Sequence, residues 1–385
     1  MIPIRYNVRS VVERRATSLM TILGVGMVAM IFVILFGFIG GLQSTLLNAG
    51  GERNWILLNR GAPQENASII GRGQFEILRV LPELAVNDDG APLISPEALA
   101  AVNLSRDKRF KQFVTLRGVT PIAYQVHRNL RLVSGHWPLR SDDEWVIGQK
   151  VAVRYPFLVP GTQFHYDRHQ WNVVGIFSDA GSARESEIWT DNEDLRVEKH
   201  WKLNANILHV ALKPGTAEAF KQALRTDGRL TIDPVAESDY YAAQSKIAGQ
   251  LRSLGLVVAI ALAIGATFGG MNTMYTAVAR REREIGVLRV LGFSRGNILG
   301  SFVLESALLG LGGGIVGVIL SFVVAWITGL DSRLMSVGTL FFSYRPDVAA
   351  ISAGLVAAIV IGVLGGLLPA WHAARIGIID SIREA

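Results

Sequence analysis

His165, Asp167 and His169 stand close together, and imidazole and carboxylate are borderline-to-hard metal ligands, so this segment is the first place to look for chemistry. The residues on either side read as two strands joined by a turn at Asp167 and Arg168, and no further ligand stands nearby, so the expectation is a hairpin tip that holds no metal. A nucleophile elbow of the form G-x-S-x-G is missing, as is the G-x-x-x-x-G-K-[ST] phosphate cradle. The expected catalytic set is therefore empty, and the energy for any work would come from another chain. Glu305 is a carboxylate within a long apolar run. It reads either as a structural group that snorkels or pairs with Arg295, or as a gating or proton-relay residue. The densest chemistry is the run RREREIGVLRVLGFSRG that starts at Arg280. As a helix it places Arg281, Ile285, Leu288 and Gly292 on one face with Glu284 beside them, an apolar ridge bordered by charge. Such a ridge suits a groove on another protein; the alternative is a helix resting on lipid headgroups.

The elements that position this run are apolar. Half of the 385 residues are hydrophobic, and they are bunched into four stretches long enough to span a bilayer, near 18–42, 253–279, 306–330 and 348–371. The first is too long for a signal-peptide core and lacks a small-x-small cleavage site, so it reads as a retained anchor. The net charge of +6 could point to nucleic acid, but the arginines gather beside the spans rather than among aromatics, which reads as topology and not as nucleic-acid binding. Arg5, Arg9, Arg14 and Arg15 precede the first span, and Arg280, Arg281, Arg283, Arg289 and Arg295 lie between the second and third. Both segments are expected in the cytoplasm, and with an even number of spans both termini follow. The absence of cysteine excludes disulfides and thiolate metal sites.

The fold expected is a four-span α-helical membrane bundle with a large extracytoplasmic α+β domain inserted between the first and second spans. It divides into an amphipathic cytoplasmic elbow helix (1–17), spans (18–43, 253–279, 298–330 and 348–371), the inserted domain with stalk helices (44–252), a cytoplasmic loop (280–297), an outer connection (331–347) and a cytoplasmic tail (372–385). Within the insert, β-rich runs punctuated by Gly, Pro, Asp and Asn predict strands at 55–59, 113–118, 144–148, 163–166, 171–177, 187–190 and 207–212, and helices at 96–102 and 216–224. The region 135–143 resembles a linker between two sublobes. Phe341, Phe342 and Tyr344 are expected to form an interfacial aromatic belt. Gly37 with Gly41, Gly265 with Gly269, Gly310 with Gly314 and Gly313 with Gly317 have the spacing that lets helix backbones approach, within one subunit or across a dimer. The spans are poor in charge, which argues against a polar channel.

The residues RxREIGVLRVLG (281–292), the pair Glu305 and Ser306, the glycines of 310–317 and LLPAWHAAR (367–375) together resemble the permease signature of the MacB/FtsX/LolC family of ABC transporters. The segments LVSGHWPL, EWVIGQ, GTQFHYD and WNVVGIF are similar to that family's periplasmic core domain. The resemblance implies a permease of the bacterial inner membrane in which Arg281, Arg283, Glu284, Ile285, Gly286, Leu288, Arg289 and Gly292 form the coupling helix against a separate ATPase. ATP and Mg would be bound by that ATPase and no cofactor by this chain. It further implies a pair of permease chains, homodimeric or pseudo-symmetric, mechanotransmission across the bilayer, and room for a periplasmic adaptor and an outer-membrane component. Cargo could be a lipid, lipoprotein, peptide or drug; a signal transducer like the FtsX branch, activating an extracytoplasmic enzyme, is the alternative. Val290, Phe293 and Ile378 depart from the residues common in the family.

Overall fold

A computed structural model describes residues 15–48, 53–104, 112–140, 142–167, 169–201, 205–330 and 334–376. Residues 1–14 of the expected elbow helix and the tail beyond 376 lie outside these residues. In chain order the elements are α1 (Arg15–Leu47), β1 (Asn54–Asn59), α2 (Arg72–Leu78), β2 (Ile94–Asn103), β3 (Phe113–Val119), α3 (Ala123–Val126), β4 (Arg131–Gly135), β5 (Glu144–Gly148) and α4 (Gln149–Arg154). They continue with β6 (Gln163–Tyr166), β7 (His169–Ser178), β8 (Glu187–Asp191), α5 (Asn192–Glu198), β9 (Ile207–Ala211), α6 (Ala217–Thr226) and β10 (Ile232–Ala236). The remainder is α7 (Glu237–Ala279), α8 (Glu282–Val290), α9 (Arg295–Thr328), β11 (Met335–Val337), β12 (Leu340–Phe342) and α10 (Val348–Arg375). The chain divides into two compact units: 1–41, 249–332 and 344–385 form one, and 42–248 with 333–343 form the other.

The first unit is helical. Four helical stretches lying wholly or mostly in it, Arg15–Leu47, Arg252–Ala279, Arg295–Thr328 and Val348–Arg375, are long and apolar enough to cross a membrane. Glycine governs how three of them meet. A Cβ at Gly310 would lie 2.6 Å from the Ala358 carbonyl oxygen on α10, and one at Gly313 would lie 2.9 Å from Val25 Cβ on α1, while Gly317 stands against Gly26 and Ala29. A methyl group at any of these positions would push two backbones apart, so these glycines set the helix spacing. Gly314 meets Leu355 and Ala358, Gly37 meets Tyr344 and Pro346, and Gly41 is buried. Gly265 and Gly269 differ: they are exposed, with open space where a Cβ would stand. The packed interior gathers Val25, Ala29, Phe32, Ala259, Ala358 and Ile361.

The second unit is built on a ten-stranded sheet in the order β10-β1-β9-β2-β3-β8-β5-β7-β4, with β6 pairing β7. β2 is the joint. Ile94–Glu97 pair antiparallel with β9, and Ala98–Asn103 pair antiparallel with β3, so one strand serves two half-sheets. Each half has its own core: Trp145, Trp171, Val173, Ile188 and Phe341 on one side, and Leu57, Ile70, Leu208, Phe220 and Ile232 on the other. The helix expected at 96–102 is thus a strand. Its alanines favour helix locally, but ladders on both edges override that preference. The two halves join inside β2, and the 135–143 region only links β4 to β5. The expected aromatic belt also needs correction. Phe341 and Phe342 are fully buried in this unit, on a β11–β12 hairpin whose Phe341 N–H donates to Ser186 Oγ at 2.9 Å, and Tyr344 is buried against Gly37 in the helical unit.

Candidate functional site

Directly after α7, α8 starts at Glu282 with Glu282 and Glu284 in its first turn and Arg289 in its last, the charge order that complements a helix dipole. It stops at Gly292, whose φ of 95° is the left-handed conformation that glycine adopts without strain. The Phe293 N–H then donates to the Leu288 carbonyl at 3.2 Å, and Ser294 Oγ caps the next helix by accepting from the Asn297 N–H at 3.3 Å. A short helix is thereby fixed between two long ones.

Its inner side is specified by burial. Ile285 is 2% exposed and packs with Met274, Val278, Ile298, Phe302, Ala370 and Ala373. Gly286 is buried beside it. Arg281, 7% exposed, donates from Nη1 to Glu305 Oε2 at 3.0 Å, and its Nε lies 3.8 Å from Glu284 Oε2. Two expectations change here. Glu305 pairs with Arg281 and not with Arg295, which sits ten residues earlier on the same helix, about 15 Å away along its axis. The face holding Arg281 and Ile285 turns into its own bundle, because that bundle offers an apolar crevice to Ile285 and a carboxylate to Arg281. The outward face instead carries Arg283, Glu284, Val287, Val290 and Leu291, the last three 58%, 61% and 69% exposed. Leu288 and Arg289 are half-buried at its edge, and Gly292 is exposed.

A second concentration of polar groups lies inside the sheet unit, at the joint in β2. Arg117 on β3 donates to Glu187 through Nε and Nη2, both at 2.7 Å, to Glu97 at 2.8 Å and to Glu65 at 3.0 Å. Arg184 pairs with Asp179 at 3.0 Å and with Glu237, the first residue of α7. Between these arginines lie His127 and His209, both buried, with ring centroids 4.7 Å apart. Burial favours the neutral form of Glu97, yet His209, His127 and Arg117 outweigh it and hold this carboxyl well below the usual range. Burial, helped by the charge of Arg184, pushes His127 down to about 3, so its ring is neutral at physiological pH. Burial disfavours the charged form of Arg117 as well, but Glu187, Glu65 and Glu97 raise it above its ordinary value.

Glu97, His127 and His209 are far apart in the chain and form no sequence motif. One signal was available: His209 interrupts the apolar run Ile207, Leu208, Val210, Ala211, and all five residues of that strand are buried. His165 and His169 are kept apart. His165 is exposed and pairs across the hairpin with Gln170, whereas His169 turns to Asp143 at 3.2 Å and Glu198 at 3.3 Å, and Asp167 pairs with Lys199 at 3.2 Å.

Residues 18–227, more than half of the chain, match the model of the MacB-like periplasmic core domain, and residues 256–378 match that of the FtsX-like permease C-terminal region. The chain belongs to the MacB/FtsX family of ABC transporter permeases. Among relatives in this family, an uncharacterized ABC transporter permease of Methanocaldococcus jannaschii is 24% identical over 99% of this chain and 97% of its own length. The macrolide export ATP-binding/permease protein MacB of Nitrobacter winogradskyi is 34% identical over 43% of this chain, and the uncharacterized permease YknZ of Bacillus subtilis is 29% identical over 46%. The chain covers a quarter of that MacB and 44% of YknZ. Of solved structures, the periplasmic region of MacB from Actinobacillus actinomycetemcomitans aligns with a TM-score of 0.38 and 11% identity, over 51% of this chain and 94% of that one.

Proposed function

We propose that this permease carries the work of ATP hydrolysis by a separate ATPase to its sheet domain, and so extracts or exports a periplasmic or membrane-derived cargo. The observation that carries this reading is α7. It is one helix of 43 residues, about 64 Å long, that begins at the buried, ion-paired Glu237 and continues through a candidate span to Ala279, just before α8. A stroke at α8 has an unbroken rod to follow. Two such chains in a bacterial inner membrane, with α8 and both termini cytoplasmic and the sheet domain periplasmic, accord with the arginines that border α7 and α9. The connection between the third and fourth spans supports the same topology, since its β11–β12 hairpin packs within the sheet unit. The exposed Gly265 and Gly269 on α7 suit the contact between the two chains. Cargo of amphiphilic character fits a cavity of about 850 Å³ in the sheet unit, where Leu58, Leu99, Tyr240 and Leu340 surround the ion-paired Arg117 and Glu187.

We assign the ATPase contact to the outward face of α8. Val287→Asp combined with Leu291→Asp is expected to abolish co-purification of the ATPase and its stimulation, while insertion and detergent-stable folding persist. Ile285→Asp should act differently and lower the yield of folded protein, because that side chain faces inward. Unaltered ATPase binding in the Val287/Leu291 variant would refute the assignment.

A further inference from the structure

We propose that Glu97, His127 and His209 form a buried binding site for a divalent transition-metal ion of the zinc type, at the joint between the two half-sheets. Each residue offers one ligand atom, and the three atoms lie within 4.8 Å of one another, all from buried side chains. His127 Nε2 stands 3.1 Å from Glu97 Oε1, and His209 Nδ1 stands 2.9 Å from Glu97 Oε2. The second contact is close but lacks hydrogen-bond alignment, and neither ring nitrogen of His209 has a hydrogen-bond partner. His127 Nε2 and Glu97 Oε1 are hydrogen-bonded, whereas His209 Nδ1 and Glu97 Oε2, roughly 3 Å apart and not aligned as donor and acceptor, are placed like neighbouring ligands of one ion with metal–ligand distances near 2.0–2.1 Å.

Two core histidines serving only as packing would be expected to have their ring nitrogens hydrogen-bonded. Here three of the four, both of His209 and Nδ1 of His127, lack a hydrogen bond. Among the described residues, the far side of the pair faces a single carboxylate. Glu237 Oε1 lies 3.9 Å from His127 Nδ1 and 3.7 Å from His209 Nε2, the two nitrogens turned away from Glu97. At these separations Glu237 makes no hydrogen bond to either ring, but it is placed to become the outer-shell acceptor of an imidazole that turns its other nitrogen to an ion.

Charge points the same way. Among the described residues that ion-pair in this cluster, the buried carboxylates Glu97, Glu187, Glu237 and Asp179 face two guanidiniums, Arg117 and Arg184. A divalent cation between Glu97 and the imidazoles offsets the excess negative charge; Arg117, which donates to Glu97 Oε2 at 2.8 Å, is also paired with Glu187 and Glu65, and these limit its repulsion of that ion. One nitrogen-rich set with a single carboxylate suits zinc better than calcium or magnesium, which take oxygen. The ion would tie β2, β9 and the segment after α3 together beneath the first turn of α7.

The test is a Co²⁺ titration of the full chain in detergent after chelator treatment. The expected result is one equivalent bound, with the intense visible absorption of a four- or five-coordinate site, and displacement by one equivalent of Zn²⁺. Affinity should fall at least about tenfold in His127→Asn, His209→Asn and Glu97→Gln, and stay unchanged in His165→Ala, which lies on the exposed hairpin. The wild-type spectrum decides the matter even if a core variant fails to fold. The weak absorption of hexa-aquo cobalt, or substoichiometric binding by the wild-type chain, overturns the site. So does undiminished binding in folded His127→Asn and His209→Asn.

Discussion

Arg281 and Glu305 show how one residue pair can hold a working element in place. Both are buried, so removing either partner leaves an uncompensated charge, a loss of about 3 to 5 kcal/mol. Glu305→Ala is therefore expected to lower the unfolding temperature of the detergent-solubilised chain and to release α8 to proteolysis. Arg281→Met combined with Glu305→Leu should recover most of the stability. A single variant as stable as wild type would mean that the pair does not position α8. At this scale the sequence is legible only in part. Glu305 stands out because a carboxylate in an apolar run is conspicuous, but its partner is not, since Arg281 reaches it across a turn between two helices. Glu97, His127 and His209 have no local pattern at all. Their proximity is created by strand order, with β9 beside β2, and strand order is not written in spacing.

At the scale of elements, periodicity and punctuation locate most strands of the insert, from 55–59 to 207–212, because each is a short β-branched or aromatic run bounded by turn residues. The same logic misreads β2, whose alanines and glutamate look helical until two neighbouring strands claim both of its edges, and it passes over the β11–β12 hairpin, whose aromatics resemble a membrane belt until a core receives them. GxxxG spacing likewise finds candidate contacts but not which helices they join. Gly313 and Gly317 face α1, and Gly310 and Gly314 face α10, whereas Gly265 and Gly269 face open space. This difference predicts two separable phenotypes. Gly317→Leu should disrupt folding of a single chain, because the Gly26 backbone cannot move aside as a side chain would. Gly265→Leu with Gly269→Leu should leave the monomer folded and shift the population from dimer to monomer, as read by native mass spectrometry in detergent. If the second pair also unfolded the chain, α7 would not contribute its outer face to a dimer.

For the whole molecule, the question is whether α7 transmits force or only anchors a domain. Both roles need a helix that enters the sheet unit at Glu237 and a span that ends near α8. Only transmission needs the rod to be unbroken between them. Gln250→Pro tests this, since proline there removes the hydrogen bond to the carbonyl four residues earlier and clashes with that turn, a local loss of about 3 kcal/mol that kinks the helix. Gln250 is exposed, so the substitution removes no core contact. If force travels along α7, the variant will insert, bind the ATPase and leave ATP hydrolysis by that partner intact, yet nucleotide will no longer change the distance between spin labels on the sheet units of paired chains; Gln250→Ala will behave as wild type. A nucleotide-dependent distance change that survives the proline would leave α7 as a tether, and the stroke would have to pass through α1, the other helix with residues in both units.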